Sequence, residues 1–301
     1  MLRHKLSGCL LRPRLIEPLA VLPIAALGLA MISFQLGAVL AKQLFPVVGA
    51  AGVTALRLGL SSLALTAAWR PWRIRPSKSA ARTIVIYGMS MGWMNLFFYL
   101  SLNRIPLGIA VALEFTGPLA VAIATSRRAI DFAWIVMAAM GLVALLPLGF
   151  ESKALDPRGV GFALAAGLCW AFYIVFGQRA GNAHGAQTTA LGLLVAAIVI
   201  VPIGVGQAGS ALFSPAILPA AIAVAFLSSA LPYTLEMYTL TRLPARTYGV
   251  LMSGSPALAA LAGLIFLGEA LSLVQWAAVA SIMLASAGSA ATSGRAPPLP
   301  D

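Results

Sequence analysis

The chain has 301 residues, of which 60% are hydrophobic and 9% are charged, and its mean hydropathy is +0.95. A soluble domain carries roughly 25% charged residues, so this composition excludes a soluble domain and predicts a polytopic membrane protein in contact with lipid. The formal net charge is +12, but the basic residues form short clusters between apolar runs. This pattern indicates topology determinants rather than a nucleic-acid-binding surface.

The first apolar run, 19–41, follows a basic N-terminal segment and so resembles a signal peptide. It is too long for the hydrophobic region of a signal peptide, and no clear cleavage motif follows it, so we predict an uncleaved first span. Nine more apolar runs follow, separated by short segments. The ten predicted spans are 19–41, 47–69, 83–103, 105–125, 131–150, 159–178, 186–207, 214–237, 246–267 and 271–291.

The distribution of Lys and Arg predicts the orientation of these spans. With a cytoplasmic N-terminus, fifteen basic residues fall inside and four fall outside, and Arg57 lies within the second span. Both termini are then cytoplasmic. Trp69 and Trp72 would lie in the aromatic belt at the inner membrane surface.

An internal repeat supports the count of spans. A shift of 138 positions aligns the fourth span with the ninth without a gap, placing Pro118 on Pro256 and Asp131 on Glu269. Five spans in each copy make the copies enter the membrane from opposite sides, an architecture of secondary transporters. We therefore predict an all-α fold of two inverted five-helix repeats, 1–150 and 151–301, the second ending in a short disordered tail.

Glu114 lies near the middle of the fourth span, close to the expected bilayer midplane, where a charge is costly and usually functional. Pro118 has no N–H group to bond the carbonyl of Glu114, so a kink is expected beside the carboxylate. The stronger interpretation is a transport site with Pro118 and Pro256 as hinges. The alternative is a kinked helix whose glutamate makes one neutral hydrogen bond.

Two other ionisable residues fall within predicted spans. Arg57 could clamp a substrate carboxylate with its planar guanidinium group. Alternatively, it could form a structural ion pair with Glu114 or bond helix carbonyls. Glu236 is closer to the cytoplasmic end of its span, and we expect it to reach the membrane interface.

Polar and aromatic residues on neighbouring spans are further candidates for substrate contact. Hydrogen bonds between membrane helices, worth about 0.6 kcal/mol each, are the alternative explanation for each of them. In the second copy Glu114 aligns with Met252, which leaves serine as the nearby polar group. The candidates are Gln35, Asn95, Tyr99, Trp170, Tyr173 and Ser255.

Several of these segments resemble one family closely. IPLGIAVALEFTGPLAVA, TALRLGL, CWAFYIVFGQRAG and LPYTLEMYTLTRLP resemble the threonine/homoserine exporter branch of the EamA-type drug/metabolite transporter superfamily. The resemblance covers the chain from about Pro18 to Ala290 and implies a ten-span exporter in the bacterial inner membrane. Related exporters usually carry a glutamate before the proline of the ninth span, where this chain has Ser255.

The residues and the resemblance together predict a secondary exporter of small zwitterionic metabolites such as threonine or homoserine. Because burial disfavours a charged carboxylate, Glu114 could exchange a proton and meet the substrate ammonium, while Arg57 binds its carboxylate. No ATP-binding motif is present, so an ion gradient is the expected energy source, and the resemblance implies proton antiport. Export of drugs or nucleobase-like compounds, stacked on Tyr99, Trp170 and Tyr173, is a second possibility.

An intramembrane enzyme is disfavoured. A serine protease using Ser255 would need a histidine at membrane depth, but His4 and His184 lie outside the predicted spans. The spans also lack paired carboxylates or ligand clusters for an aspartyl or metal-dependent enzyme, and Cys9 and Cys169 are far apart. We therefore predict no metal and no cofactor.

Overall fold

The computed structural model describes residues 18–124, 129–145, 155–184, 186–240, 242–243 and 245–292. Over these ranges the chain forms helices and no strand, as the predicted all-α class requires. The basic N-terminal segment, the double arginine at 127–128 and the tail from residue 293 onward, predicted to be disordered, lie outside the described residues.

The helices are numbered in chain order. They are α1 (Pro18–Trp69), α2 (Lys78–Leu102), α3 (Leu107–Glu114), α4 (Thr116–Ala124), α5 (Ala129–Leu145), α6 (Pro157–His184), α7 (Ala186–Ala208), α8 (Leu218–Ala225), α9 (Leu231–Leu240), α10 (Ala245–Met252), α11 (Ser255–Leu267) and α12 (Leu273–Thr292). A π-helical segment, Phe226–Ala230, joins α8 to α9.

Helix α1 contains the first two predicted spans. A straight helix of its 52 residues would be about 78 Å long, more than twice the thickness of the hydrocarbon layer. A kink at Gly49 divides it, and the φ of 69° at this residue lies in the region that glycine tolerates best. The two parts pack differently: Ser33 bonds Leu227, whereas Gly52 lies against Ala208 of α7.

Seven helical stretches of the described residues are long and apolar enough to cross a membrane. One of them, Val21–Trp69, is the kinked α1. Two shorter apolar stretches, Leu107–Val121 and Phe132–Leu145, fall on the fourth and fifth predicted spans. The chain is thus a helical protein with several membrane-spanning segments, while the count of ten remains a prediction.

Small residues allow the helices to approach closely, as is usual between membrane helices. Helix α1 packs along α7, where Gly204 lies against the carbonyl of Ala51, and α2 packs along α6. Helix α3 packs on α11, where a Cβ added to Gly108 would meet the backbone of Ala260. Helices α5 and α12 form a further pair.

An ion pair joins helix α1 to the segment that follows α11. Lys42 Nζ lies 2.5 Å from Glu269 Oε1 and donates to the carbonyl of Ile105 at 3.3 Å. The Leu107 N–H, at the start of α3, donates to Glu269 Oε2 at 2.7 Å. We call this set the Lys42–Glu269 clasp. It ties α1 to both the α2–α3 connection and the segment after α11.

Candidate functional site

A cavity of about 120 Å³ lies among α1, α2, α3, α6, α9 and the α10–α11 junction. Its charged lining residues are Arg57, Glu114 and Glu236. Its other polar and aromatic lining residues are Phe34, Gln35, Asn95, Phe98, Phe115, Trp170, Tyr173, Tyr233 and Ser255. Most of the polar and charged residues singled out from the sequence therefore meet in one place.

Tyr99 is the sequence candidate that does not line the cavity. It is fully buried, 5.8 Å from the ring of Phe45 and 5.4 Å from the Arg57 guanidinium group. Asn95, one helical turn earlier on the same face of α2, does reach the cavity. Tyr99 thus contacts the guanidinium group of Arg57 but does not line the cavity.

Arg57 is 3% exposed, and its guanidinium group is held by the π-helical segment between α8 and α9. Its Nε donates to Ser229 Oγ at 2.9 Å, and its Nη2 donates to the carbonyl of Ser228. The rings of Phe34 and Tyr99 lie 5.9 and 5.4 Å from the guanidinium carbon. The two structural roles expected for Arg57 were an ion pair with Glu114 and a bond to a helix carbonyl. The structure shows the bond to a helix carbonyl.

The π-helical segment owes its position to α1. Backbone carbonyls that leave the ordinary α-helical pattern must find other donors inside a membrane protein. Ser33 Oγ donates to the carbonyl of Leu227 at 2.7 Å, and Ser61 Oγ donates to that of Ala225 at 3.2 Å. Gly37 has no side chain where Ser228 approaches. Side chains of α1 therefore fix the segment that holds Arg57.

Glu114 is the last residue of α3 and is 9% exposed, its exposed part facing the cavity. Arg57 acts on it electrostatically, but in the described part of the chain no direct ion pair joins them. The cavity therefore holds a guanidinium group and a carboxylate that interact electrostatically across it.

The helix is interrupted next to Glu114, since α3 ends there and α4 begins at Thr116. Pro118 lies one turn later, as the expected kink requires. Helix α6 crosses at this point: a Cβ added to Gly167 would lie 2.8 Å from the carbonyl oxygen of Glu114. The carbonyl that Pro118 leaves without an N–H partner therefore faces a glycine of another helix.

A matching interruption occurs in the second half of the chain. Helix α10 ends at Met252 and α11 begins at Ser255, with Pro256 as its second residue. Met252 and Ser255 both line the cavity. Two interrupted helices thus meet at the site, and the roles of Pro118 and Pro256 as hinges remain predictions.

Glu236 is the main functional candidate that the sequence interpretation underrated. We expected it to reach the membrane interface, but it lines the same cavity as Glu114. Tyr233, three residues earlier on α9, also lines the cavity and was not predicted. The spacing of these two residues, which places them on one helix face, was the available signal.

Comparisons with known proteins agree on the type of protein. Residues 157–290 match the EamA-like transporter family. The threonine/homoserine exporter RhtA of Salmonella typhimurium (strain SL1344) is 58% identical over 276 residues, which are 92% of this chain and 94% of that protein. RhtA of Escherichia coli (strain K12) is 57% identical over 271 residues, 90% of this chain and 92% of that protein.

One solved crystal structure has a similar fold. It superposes with a TM-score of 0.60, covering 89% of this chain and 96% of its own, at 20% sequence identity. At this identity the similarity indicates a shared fold alone.

Proposed function

We propose that this chain, which belongs to the EamA-like transporter family, exports small zwitterionic amino acids such as threonine and homoserine. Relatives named as threonine/homoserine exporters are 57–58% identical to it over most of its length. The observation in the structure that carries the proposal is the pair of opposite charges, Arg57 and Glu114, on one buried cavity.

This pair fits the two ends of an amino acid. The Arg57 guanidinium group binds the substrate carboxylate, since its planar donors match a carboxylate better than an ammonium group would. Glu114 binds the substrate ammonium. Gln35, Asn95 and Ser255 provide hydrogen bonds, and the aromatic wall, including Trp170 and Tyr173, encloses the side chain of the substrate.

Export is driven by proton antiport in this proposal. Glu114 holds a proton when the cavity is empty and releases it when it binds the substrate ammonium, so proton and substrate compete for one carboxylate. The low exposure of Glu114 supports this role, because a buried carboxylate without a fixed cation is costly to keep charged.

The proposed architecture is ten spans in two inverted repeats, 1–150 and 151–301. The pairing of helices supports it, because under the 138-residue shift each of two pairs exchanges its own members: the part of α1 after Gly49 with α7, and α5 with α12. Likewise, the contact of α2 with α6 corresponds, under the same shift, to the contact of α8 and α9 with α1. The family match over residues 157–290 falls within the second repeat.

The proposed location is the bacterial inner membrane with both termini in the cytoplasm. The Lys42–Glu269 clasp and the Arg104–Asp156 ion pair, at 2.7 Å, support the part of this topology that puts their segments on one side of the membrane. All the segments joined by these two ion pairs are predicted to lie outside, and they are in contact with one another in the fold. A hydrogen bond from Arg104 holds the pKa of Asp156 below its usual range.

Counterflow in proteoliposomes tests the proposed function. Vesicles loaded with unlabelled threonine or homoserine should accumulate labelled threonine transiently, and protein-free vesicles should not. A panel of labelled amino acids then gives the selectivity. Absence of counterflow with every amino acid would refute the proposal.

The second candidate function is export of aromatic drugs or nucleobase-like compounds. The aromatic wall favours it, since Phe115 and Trp170 form an edge-to-face pair 4.9 Å apart beside the cavity. Competition decides between the candidates: such compounds should inhibit threonine counterflow only if they occupy the same cavity, and they should be transported themselves if they are substrates.

A further inference from the structure

The cavity contains a second carboxylate, to which no cation of the described residues is bonded. Glu236 lines the cavity from α9, while Glu114 lines it from the end of α3. Arg57 directs hydrogen bonds to Ser228 and Ser229. Among the described residues, no basic side chain forms an ion pair with Glu236.

The charges on the cavity wall do not balance when every group is ionised. Two carboxylates face one guanidinium group, which leaves one uncompensated negative charge in a buried site. Such a charge is costly in an apolar interior unless a partner or a proton neutralises it. A zwitterionic substrate adds no net charge, so the substrate-bound cavity still needs one proton on its two carboxylates.

We propose that Glu236 is a second proton-exchanging residue, which takes up the proton that Glu114 releases when the substrate ammonium binds. This inference rests on the exporter function proposed above. In the second half of the chain, Met252 aligns with Glu114, and Ser255 stands where related exporters usually carry a glutamate. Glu236 gives this half an acid at the site.

The transfer conserves protons and charge. The O–H bond of the Glu114 carboxyl group breaks and an O–H bond forms on the Glu236 carboxylate. Arg57 then pairs with the substrate carboxylate and Glu114 with the substrate ammonium, while Glu236 is neutral. After substrate release Glu114 takes a proton from outside, and Glu236 loses its proton to the cytoplasm once the empty carrier faces inward.

The surroundings of Glu236 suit a proton carrier. Tyr233 is within electrostatic range of Arg57, Glu114 and Glu236, and so lies near all three. Other phenols in range of Glu236 can donate and accept hydrogen bonds without adding charge. The titratable and charged groups around it are Arg57 on α1, Tyr87 on α2, Glu114 on α3, Tyr173 on α6, Tyr233 on α9 and Tyr248 on α10.

Paired assays on reconstituted protein test this role. We expect Glu236→Gln to continue exchanging labelled threonine in counterflow but to lose the threonine-driven pH change inside the vesicles. Glu236→Asp retains a carboxyl group and should retain part of that pH change, which a merely structural role of Glu236 would not require. If Glu236→Gln moves protons with threonine as the wild type does, the inference is wrong.

Carbodiimide labelling provides a readout that is independent of the substrate. The O–H group of a protonated carboxyl adds across a C=N bond of dicyclohexylcarbodiimide, so an adduct on Glu236, detected by mass spectrometry, reports its protonation. We expect labelling of the wild type to be stronger at acidic than at alkaline pH. A wild type without amino-acid counterflow refutes the proposed function alone, whereas absence of any pH-dependent adduct on Glu236 refutes the inference.

Discussion

Arg57 is a buried charge, and no carboxylate in the part of the chain that the structure describes is bonded to it. The carbonyl of Ser228, the hydroxyl of Ser229 and the faces of two aromatic rings surround it. These contacts offset part of the desolvation cost, since a desolvated cation–π contact contributes about 2 kcal/mol. They do not neutralise the charge. In the proposed mechanism, a substrate carboxylate neutralises it.

A substitution of Arg57 by lysine tests the role of its planar shape. Arg57→Lys keeps the positive charge but cannot bond Ser228 and Ser229 and bind a carboxylate in the same geometry. Losing one charge-assisted hydrogen bond costs about 1.5–3 kcal/mol, so we expect the KM for threonine to rise by roughly tenfold or more. An analogue of threonine without the carboxylate is the control, and its inhibition of counterflow should change much less.

A substitution of Glu114 by glutamine tests proton coupling at the cavity. Glu114→Gln retains the shape and hydrogen bonding of the side chain but cannot release a proton. We expect normal insertion into the membrane and loss of substrate-driven proton movement, while exchange of substrate for substrate survives in part. Extrusion of threonine against a pH gradient at the wild-type rate would show that Glu114 is not the proton site.

At the scale of elements, the cavity lies where helices are irregular. Helix α3 ends at Glu114, α10 ends at Met252, and a π-helical segment separates α8 from α9. Irregular backbone at membrane depth is tolerated where it is buried in protein or lines a cavity. These interruptions turn side chains and carbonyls toward the site, and they require close contact with neighbouring helices.

The contact of α6 with the α3–α4 interruption gives a prediction about stability. In Gly167→Ala the new Cβ would lie 2.8 Å from the Glu114 carbonyl oxygen, and backbone must move to accommodate it. We expect a loss of about 1–3 kcal/mol, which is typical of overpacking. Gly161, on the same helix, has no atom within 4 Å of an added Cβ.

The control is therefore Gly161→Ala, which should be neutral or stabilise the helix by up to about 1 kcal/mol. Thermal unfolding in detergent, followed by circular dichroism, compares the two variants with the wild type. Equal melting temperatures for the two alanine variants would mean that α6 does not pack closely on the Glu114 carbonyl.

At the scale of the whole molecule, hydropathy predicted where the helices lie, because each long apolar run must satisfy its backbone internally. The family match and the relatives confirm the prediction of a transporter rather than an enzyme. Arg57 and Glu114 could be chosen because charges are rare within apolar runs. Gln35, Asn95, Trp170, Tyr173 and Ser255 also reach the cavity.

Depth and angular position could not be predicted in the same way. Tyr99 shares a helix face with Asn95 but lies behind Arg57, because helical spacing gives direction and not distance from the cavity. Glu236 follows the π-helical segment, which changes the angular phase of later side chains relative to a continuous α-helix. The sequence showed only that Glu236 is close to the end of its predicted span, and this closeness suggested the membrane interface instead of the cavity.

Topology is the last prediction, and cysteine labelling tests it. In a background with Cys9→Ser and Cys169→Ser, single cysteines replace Arg75 or Arg158, both of which are exposed. Arg75 belongs to the basic connection between α1 and α2, and the preference of Lys and Arg for the cytoplasmic side places it inside. Arg158 lies in the first turn of α6, next to the Arg104–Asp156 ion pair that we place outside. An impermeant maleimide should therefore label Arg158→Cys in spheroplasts and Arg75→Cys only after lysis.

Both variants must react after lysis, which controls for accessibility of the thiol. Labelling of both before lysis would put the two segments on one side, and an odd number of spans in each repeat would then be impossible.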